Sequence, residues 1–96
     1  MRLRDKVAIV TGAGSGMGRA IAVEFARQGA VVVAADIDLQ AAGATVEAIR
    51  SAGGDGKALK VDVTRREDAA AMSAQTLASF GRIDALVNNA GARCIK

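Results

Sequence analysis

Four alternating glycines stand near the start of the chain, in the segment Thr11-Gly12-Ala13-Gly14-Ser15-Gly16-Met17-Gly18. Glycine permits a positive φ and, because it has no Cβ, lets a ligand approach the backbone closely. A helix that begins in such a turn presents unpaired amides and the positive end of its dipole, and both bind phosphate groups. A plain strand-to-helix turn does not require four glycines, so the segment predicts a pyrophosphate-binding turn.

An acid, Asp36, follows Gly18 by eighteen residues. This is close to the offset of about 20 residues at which an acid accepts hydrogen bonds from the adenosine ribose of a dinucleotide. The acid favours NAD, and NADP is less favoured, because two negative charges about 4 Å apart cost roughly 4 kcal/mol at an effective dielectric near 20. A second interpretation stays open, in which Asp36 only caps a helix, although Asp38 is better placed to do so.

The elements that must position these residues follow from the hydrophobic pattern. Continuous apolar runs predict buried strands at 7–10, 31–35 and 83–87, and a more polar run predicts an edge strand at 57–63. Apolar residues recur at helical spacing between the strands and predict three core-facing helix stripes. The stripes are Met17, Ala20, Ile21 and Phe25; Leu39, Ala42, Val46 and Ile49; and Ala69, Met72, Thr76, Leu77 and Phe80.

Cap residues bound the predicted helices. Asp38 is expected to cap the second helix, and Thr64 with Glu67 forms a capping box for the third. The three helices are expected to end at Gly29, Gly53-Gly54 and Gly81.

Alternation of strands and helices predicts an α/β fold, a Rossmann-type doubly wound parallel sheet. Its four strands should lie in the order 3-2-1-4, with three helices and right-handed crossovers. We expect residues 1–96 to be the N-terminal part of an NAD-binding Rossmann domain, with the ligand crevice beyond the carboxyl ends of strands 1 and 4.

Three motifs carry a resemblance to a known family. The glycine turn follows the pattern T-G-x-x-x-G-x-G rather than G-x-G-x-x-G. Asp62 follows the third predicted strand, and Asn88-Asn89-Ala90-Gly91 follows the fourth. Together they closely resemble the short-chain dehydrogenase/reductase family, and the likeness runs from Lys6 to Gly91.

The resemblance implies an NAD-dependent oxidoreductase acting on an alcohol/ketone pair. It implies phosphate and ribose contacts for Gly12, Ser15, Gly16, Met17 and Gly18, adenine contacts for Asp62 and Val63, and a wall beside the ribose and nicotinamide for Asn88, Asn89, Ala90 and Gly91. Simpler roles stay open, since Asp62 could be a polar residue near a helix start and Asn88 could bridge strands. Arg19 is expected to point to solvent. Ser15 and Ile37 occupy the places where NADP-dependent members tend to carry a cation.

In the resembled family the proton donor is a tyrosine in Y-x-x-x-K, assisted by a serine and an asparagine. The chain contains no tyrosine, so no catalytic residue is assigned and the chain alone is expected to be inactive, as part of a complete dehydrogenase. Asn88 and Asn89 belong to the cofactor-side motif. Two alternatives stay open, namely a non-catalytic NAD-binding module and a module that completes the sheet of another chain.

Composition argues against several other classes. The net charge of +3 comes from scattered residues with only two aromatics, so no nucleic-acid partner is expected. No run approaches the roughly 18 apolar residues of a membrane span, which predicts a cytoplasmic protein without a membrane partner. A single cysteine, Cys94, and no histidine predict no internal disulfide and no metal site. The expected partners are a small-molecule substrate in a complete parent and further copies in a homo-oligomer.

Two other nucleotide-binding classes fit the motifs less well. S-adenosylmethionine-dependent methyltransferases usually carry an acid ahead of the glycines, where this chain has Thr11, and they lack N-N-A-G after the fourth strand. A P-loop kinase would need Gly-Lys-Ser/Thr after the turn, and that motif is absent from the sequence.

Overall fold

The computed structural model describes residues 2–89. Strands and helices alternate along these residues as β1 Val7–Thr11, α1 Gly16–Arg27, β2 Val31–Asp36, α2 Leu39–Ser51, β3 Asp55–Lys60, α3 Arg66–Phe80 and β4 Ala85–Asn88. Three residues named above, Ala90, Gly91 and Cys94, lie outside the described residues. Between residues 2 and 89, none of the helices has the length and apolar character needed to cross a bilayer.

The four strands form one parallel sheet in the order β3-β2-β1-β4. This confirms the predicted order and the predicted edge position of β3. Thr11 at the end of β1 is level with Ala35 of β2 and with Asn88 of β4. The carboxyl ends of these strands therefore meet along one edge, where a doubly wound sheet binds its ligand.

Helices cover both faces of the sheet. On one face, α1 and α2 pack against a buried cluster that includes Val10, Val32 and Ala34. On the other, Met72 of α3 belongs to a buried cluster with Ile9, Val33 and Ala35. Because successive strand residues point to opposite faces, and both faces are covered, β1 and β2 are apolar at every position from 7 to 10 and from 31 to 35, and only their last residues are polar.

Some residues of the predicted helix stripes face solvent, and for these the prediction was wrong. In α1 the buried positions are Gly18 and Ala22, so this helix approaches the sheet through small residues. Periodicity identifies a helical arc, but the neighbouring element decides which edge of that arc is covered. The exposed members of the predicted stripes are Met17, Ala20, Leu39 and Leu77.

The capping box predicted for α3 does not form. Arg65 occupies the N-cap position, and its side chain makes no capping bond to the described residues. Thr64 instead donates its hydroxyl to Asp62 Oδ1 at 2.6 Å and its amide to the same oxygen at 3.0 Å. This local turn satisfies Thr64 before the helix begins, a common competitor of N-capping.

The start of α2 and the end of α3 lie where the sequence predicted them, whereas the third strand is shifted. Asp38 caps α2 by accepting a hydrogen bond from the Ala41 amide at 3.1 Å. Gly81 ends α3, as predicted. The third strand begins and ends earlier than predicted, at Asp55 and Lys60, so the segment 61–63 leads out of the sheet toward the ligand edge.

Candidate functional site

A groove of about 450 Å³ lies at the carboxyl edge of the sheet. The glycine turn, the junction of β2 with α2 and the segment after β3 form its walls. Its lining residues are Gly12, Ser15, Asp36, Ile37, Asp38, Ala41, Val61, Asp62, Val63 and Thr64. Five residues predicted from the sequence therefore surround one space, although they come from three distant parts of the chain.

The first turn of α1 supplies donors beside this groove. Its residues Gly16, Met17 and Gly18 occupy positions where a helix leaves amides without an intrahelical acceptor. Neither an acid in the first turn nor the Ser15 side chain caps the helix, as far as the described residues show. Gly16 has a φ of +58°, and no other described residue lies within 4 Å of the position of a Cβ there. The turn can thus bind an anion through its backbone.

Gly18 closes the turn against its own beginning. A Cβ at this position would lie 2.0 Å from the carbonyl oxygen of Gly12 and 2.7 Å from Nδ2 of Asn89. Asn89 donates to the same Gly12 oxygen at 3.4 Å. Only a glycine at position 18 allows this close approach of helix and turn.

Asn88 lies at the end of β4 and forms a hydrogen bond to the neighbouring strand β1. Its Oδ1 accepts a hydrogen bond from the Thr11 hydroxyl at 3.1 Å, and Thr11 itself is buried at the end of β1. This contact supports the strand-bridging interpretation of Asn88. The implied contact of Asn88 and Asn89 with a cofactor stays a prediction.

Asp36 is oriented by two backbone donors. Its Oδ2 accepts from the Gly14 amide at 2.9 Å, and its Oδ1 accepts from the Asp38 amide at 2.9 Å. Because each carboxylate oxygen has two acceptor positions, the hydrogen bonds within residues 2–89 leave one position on each oxygen. The Ala41 amide of α2 donates to Asp38 rather than to Asp36, so these contacts do not support the interpretation of Asp36 as a helix cap.

Asp62 stands on the opposite wall of the groove and carries a charge. The hydroxyl and the amide of Thr64 both donate to its Oδ1, and they hold the pKa of this carboxyl below its ordinary value. Its own amide donates to Asp68 at 2.9 Å. Two exposed apolar side chains, Ile37 and Val63, also line the groove, so its wall combines charge with apolar surface.

Sequence reasoning missed one residue beside the site. Thr45 lies in the middle of α2, is fully buried, and donates its hydroxyl to the carbonyl oxygen of Ala13 at 2.7 Å. A hydroxyl on the apolar stripe of α2, between Ala42 and Val46, was the available signal. Its partner, 32 residues earlier in the chain, could not be read from that signal.

The described geometry agrees with sequence comparison. Residues 6–96 match the sequence profile of the short chain dehydrogenases. The chain belongs to this family. The 7α-hydroxysteroid dehydrogenase of Escherichia coli K12 is 43% identical over 91 residues, which are 95% of this chain and 36% of that protein. The 3β-hydroxysteroid dehydrogenase of Mediterraneibacter gnavus is 41% identical over 94% of this chain and 33% of that protein.

Solved structures of family members have the same fold. A crystal structure of the hydroxysteroid dehydrogenase from Escherichia coli gives a TM-score of 0.89 at 41% identity, over 91% of this chain and 37% of that one. A 7α-hydroxysteroid dehydrogenase complexed with NADH and 7-oxo glycochenodeoxycholic acid gives 0.88 at 41% identity, over 91% and 34%. A metagenomic short-chain oxidoreductase in complex with NADP gives 0.89 at 38% identity, over 93% and 40%. The predicted fold class is confirmed, and this chain spans between 33% and 40% of the length of these relatives.

Proposed function

We propose that this chain supplies the dinucleotide-binding part of an NAD-dependent short-chain dehydrogenase that interconverts an alcohol and a ketone. The observation that carries the proposal is Asp36, oriented at the end of β2 with one acceptor position left on each oxygen. Two adjacent acceptors suit the paired 2′- and 3′-hydroxyls of an adenosine ribose.

The charge of the groove supports NAD over NADP. Three carboxylates, Asp36, Asp38 and Asp62, line it, and its lining has no basic side chain in the described part of the chain. A 2′-phosphate beside Asp36 would face a charge repulsion of roughly 4 kcal/mol at about 4 Å and an effective dielectric near 20. A ribose hydroxyl at the same place donates a hydrogen bond instead.

The backbone donors of the turn suit the pyrophosphate. We assign this role to the amides at the start of α1, between Ser15 and Gly18, because no acid of that turn competes for them in the described residues. We assign the adenine to the space between Ile37 and Val63, since their apolar side chains line the same groove. The implied contacts of Asn88 to Gly91 remain part of the proposal.

When bound, the nicotinamide would exchange a hydride with the carbon that bears the alcohol oxygen. The residues described here bind and orient the cofactor, and none of them is assigned to move the proton that this oxygen gains or loses. The family's tyrosine has no counterpart among these 96 residues. We therefore propose that the chain binds NAD but does not turn over a substrate by itself.

Calorimetric titration of the purified chain with NAD⁺ and NADP⁺ tests the cofactor assignment. We expect NAD⁺ to bind more tightly, and Asp36→Ala or Ile37→Arg to reduce that preference. Equal affinity of the unaltered chain for the two cofactors would show that Asp36 does not select NAD.

A turnover assay with NAD⁺ and a panel of secondary alcohols tests whether the chain is inactive by itself. A hydroxysteroid belongs in the panel because two relatives carry that substrate in their names. Turnover by the 96-residue chain at rates typical of enzymes, roughly 1 to 1000 per second, would contradict the proposed inactivity.

A further inference from the structure

The peptide group that joins Ala13 to Gly14, which we call the turn peptide, is hydrogen-bonded at both ends. Its carbonyl oxygen accepts from the Thr45 hydroxyl at 2.7 Å, and its N–H donates to Asp36 Oδ2 at 2.9 Å. Both residues of the turn peptide are buried. Because a peptide group is planar and rigid, this single unit connects α2 with the acid at the end of β2.

The hydroxyl of Thr45 lies closer to the turn peptide than to the acceptor usual for its position. Inside a helix, a threonine commonly donates to the carbonyl four residues earlier. That acceptor, Ala41, lies 3.4 Å away, whereas Ala13 lies at 2.7 Å, the common length of an O–H···O bond. A hydroxyl carries one proton, so the proton goes to the turn peptide.

Thr76 of α3 shows the usual arrangement in the same chain. It is also buried in a helix, and it donates to the carbonyl of Met72, four residues earlier, at 2.8 Å. Thr45 and Thr76 are therefore a matched pair that differ in whether the hydroxyl reaches the glycine turn.

We propose that Thr45 is a positioning residue for the dinucleotide. By fixing the carbonyl of the turn peptide, it keeps the Gly14 N–H on Asp36 and so orients the carboxylate that receives the ribose. This inference rests on the proposed function. Without the hydroxyl, the Ala13 oxygen would lose its partner in a buried place, and other orientations of the turn peptide would become populated. A smaller binding-competent fraction raises the apparent Kd.

Amide hydrogen exchange of the ¹⁵N-labelled chain tests the orientation without any cofactor. In the unaltered chain we expect Gly14 to exchange at least about tenfold more slowly than Met17, whose amide has no intrahelical acceptor. Thr45→Val should speed Gly14 exchange, relative to that of Val33 in β2, by roughly twofold to tenfold, the factor that one hydrogen bond contributes. Thr76→Val should leave this ratio unchanged.

An unchanged Gly14 ratio in Thr45→Val would overturn the proposal. If that variant does not fold, the unaltered chain still decides, because exchange of Gly14 as fast as that of Met17 would show that the turn peptide is not fixed.

Calorimetry with NAD⁺ tests the consequence for binding. Thr45→Val should weaken binding by roughly twofold to tenfold, whereas Thr76→Val should leave the Kd nearly unchanged. Thr45→Ser, which keeps the hydroxyl, should restore the affinity. Binding by Thr45→Val equal to that of the unaltered chain, or by Thr45→Ser as weak as that of Thr45→Val, would overturn the positioning role. Absence of NAD⁺ binding by the unaltered chain would instead overturn the proposed function, and Gly14 exchange would still decide whether Thr45 orients the turn peptide.

Discussion

Replacing Gly18 with alanine places a methyl group against the backbone of the glycine turn. The new Cβ would lie 2.0 Å from the Gly12 oxygen and 2.7 Å from the Gly12 carbonyl carbon, well inside the 3.0 Å that real Cβ contacts respect. The Gly12 oxygen is a backbone atom that also accepts from Asn89. Relief of the contact therefore requires α1 or the turn itself to move.

The size of this effect follows from comparison with a second helical glycine. Gly43 lies in α2, and a Cβ there would meet nothing within 4 Å among the described residues. In a helix, glycine to alanine gains up to about 1 kcal/mol from backbone entropy. Gly43→Ala should show this gain. Gly18→Ala gains the same entropy but is destabilised by overpacking, which costs about 1–3 kcal/mol. The free energies of unfolding of the two variants should therefore differ by about that amount.

Urea denaturation followed by circular dichroism measures both free energies of unfolding, and calorimetry measures NAD⁺ binding. We expect Gly18→Ala to be the less stable variant and to bind NAD⁺ more weakly, because the amides at the start of α1 shift with the turn. Gly43→Ala should bind as the unaltered chain does. If Gly18→Ala were as stable as Gly43→Ala, the close contact between helix and turn would be refuted.

Two further predictions concern stability. The hydrogen bond from Arg82, and to a smaller extent that from the Val7 amide, holds the pKa of Asp84 below its ordinary 3.8. Asp84 therefore stabilises the folded state above pH 3.8, and this contribution is lost as the pH falls through the lowered pKa of the folded state. Urea denaturation from pH 6 down to about pH 3 should therefore show Asp84→Asn less stable at pH 6 and the difference shrinking on acidification; a constant difference would contradict this. Asp38→Ala removes the cap of α2 and should lower the free energy of unfolding by about 0.5–2 kcal/mol. Arg65→Ser can supply the side-chain cap that α3 lacks in the described structure and should raise the free energy of unfolding. If urea denaturation showed no change of stability in either variant, the capping roles would be disproved.

Features that depend on neighbours in the chain could be predicted from the sequence. The glycine turn, the Asp38 cap and the glycine that ends α3 each arise from interactions within a few residues. Alternation of strands and helices, with right-handed crossovers, predicted a parallel sheet, and the order 3-2-1-4 was the one that dinucleotide-binding sheets have. The same local reasoning failed at Thr64, because two local hydrogen-bonding patterns competed and the turn with Asp62 was formed instead of the capping box.

The sequence by itself determined the fold class and the residues from which a dinucleotide site could be built. Tertiary structure decided how they are held, since Asp36 and Thr45 meet the turn peptide only after β2 and α2 have packed beside β1. It also decided which helix edges are covered, leaving Met17 and Leu77 exposed. The physical reason is that a hydrogen bond such as that from Thr45 to Ala13 depends on the distance between α2 and the glycine turn. This distance cannot be derived from the types and spacing of the side chains in the sequence.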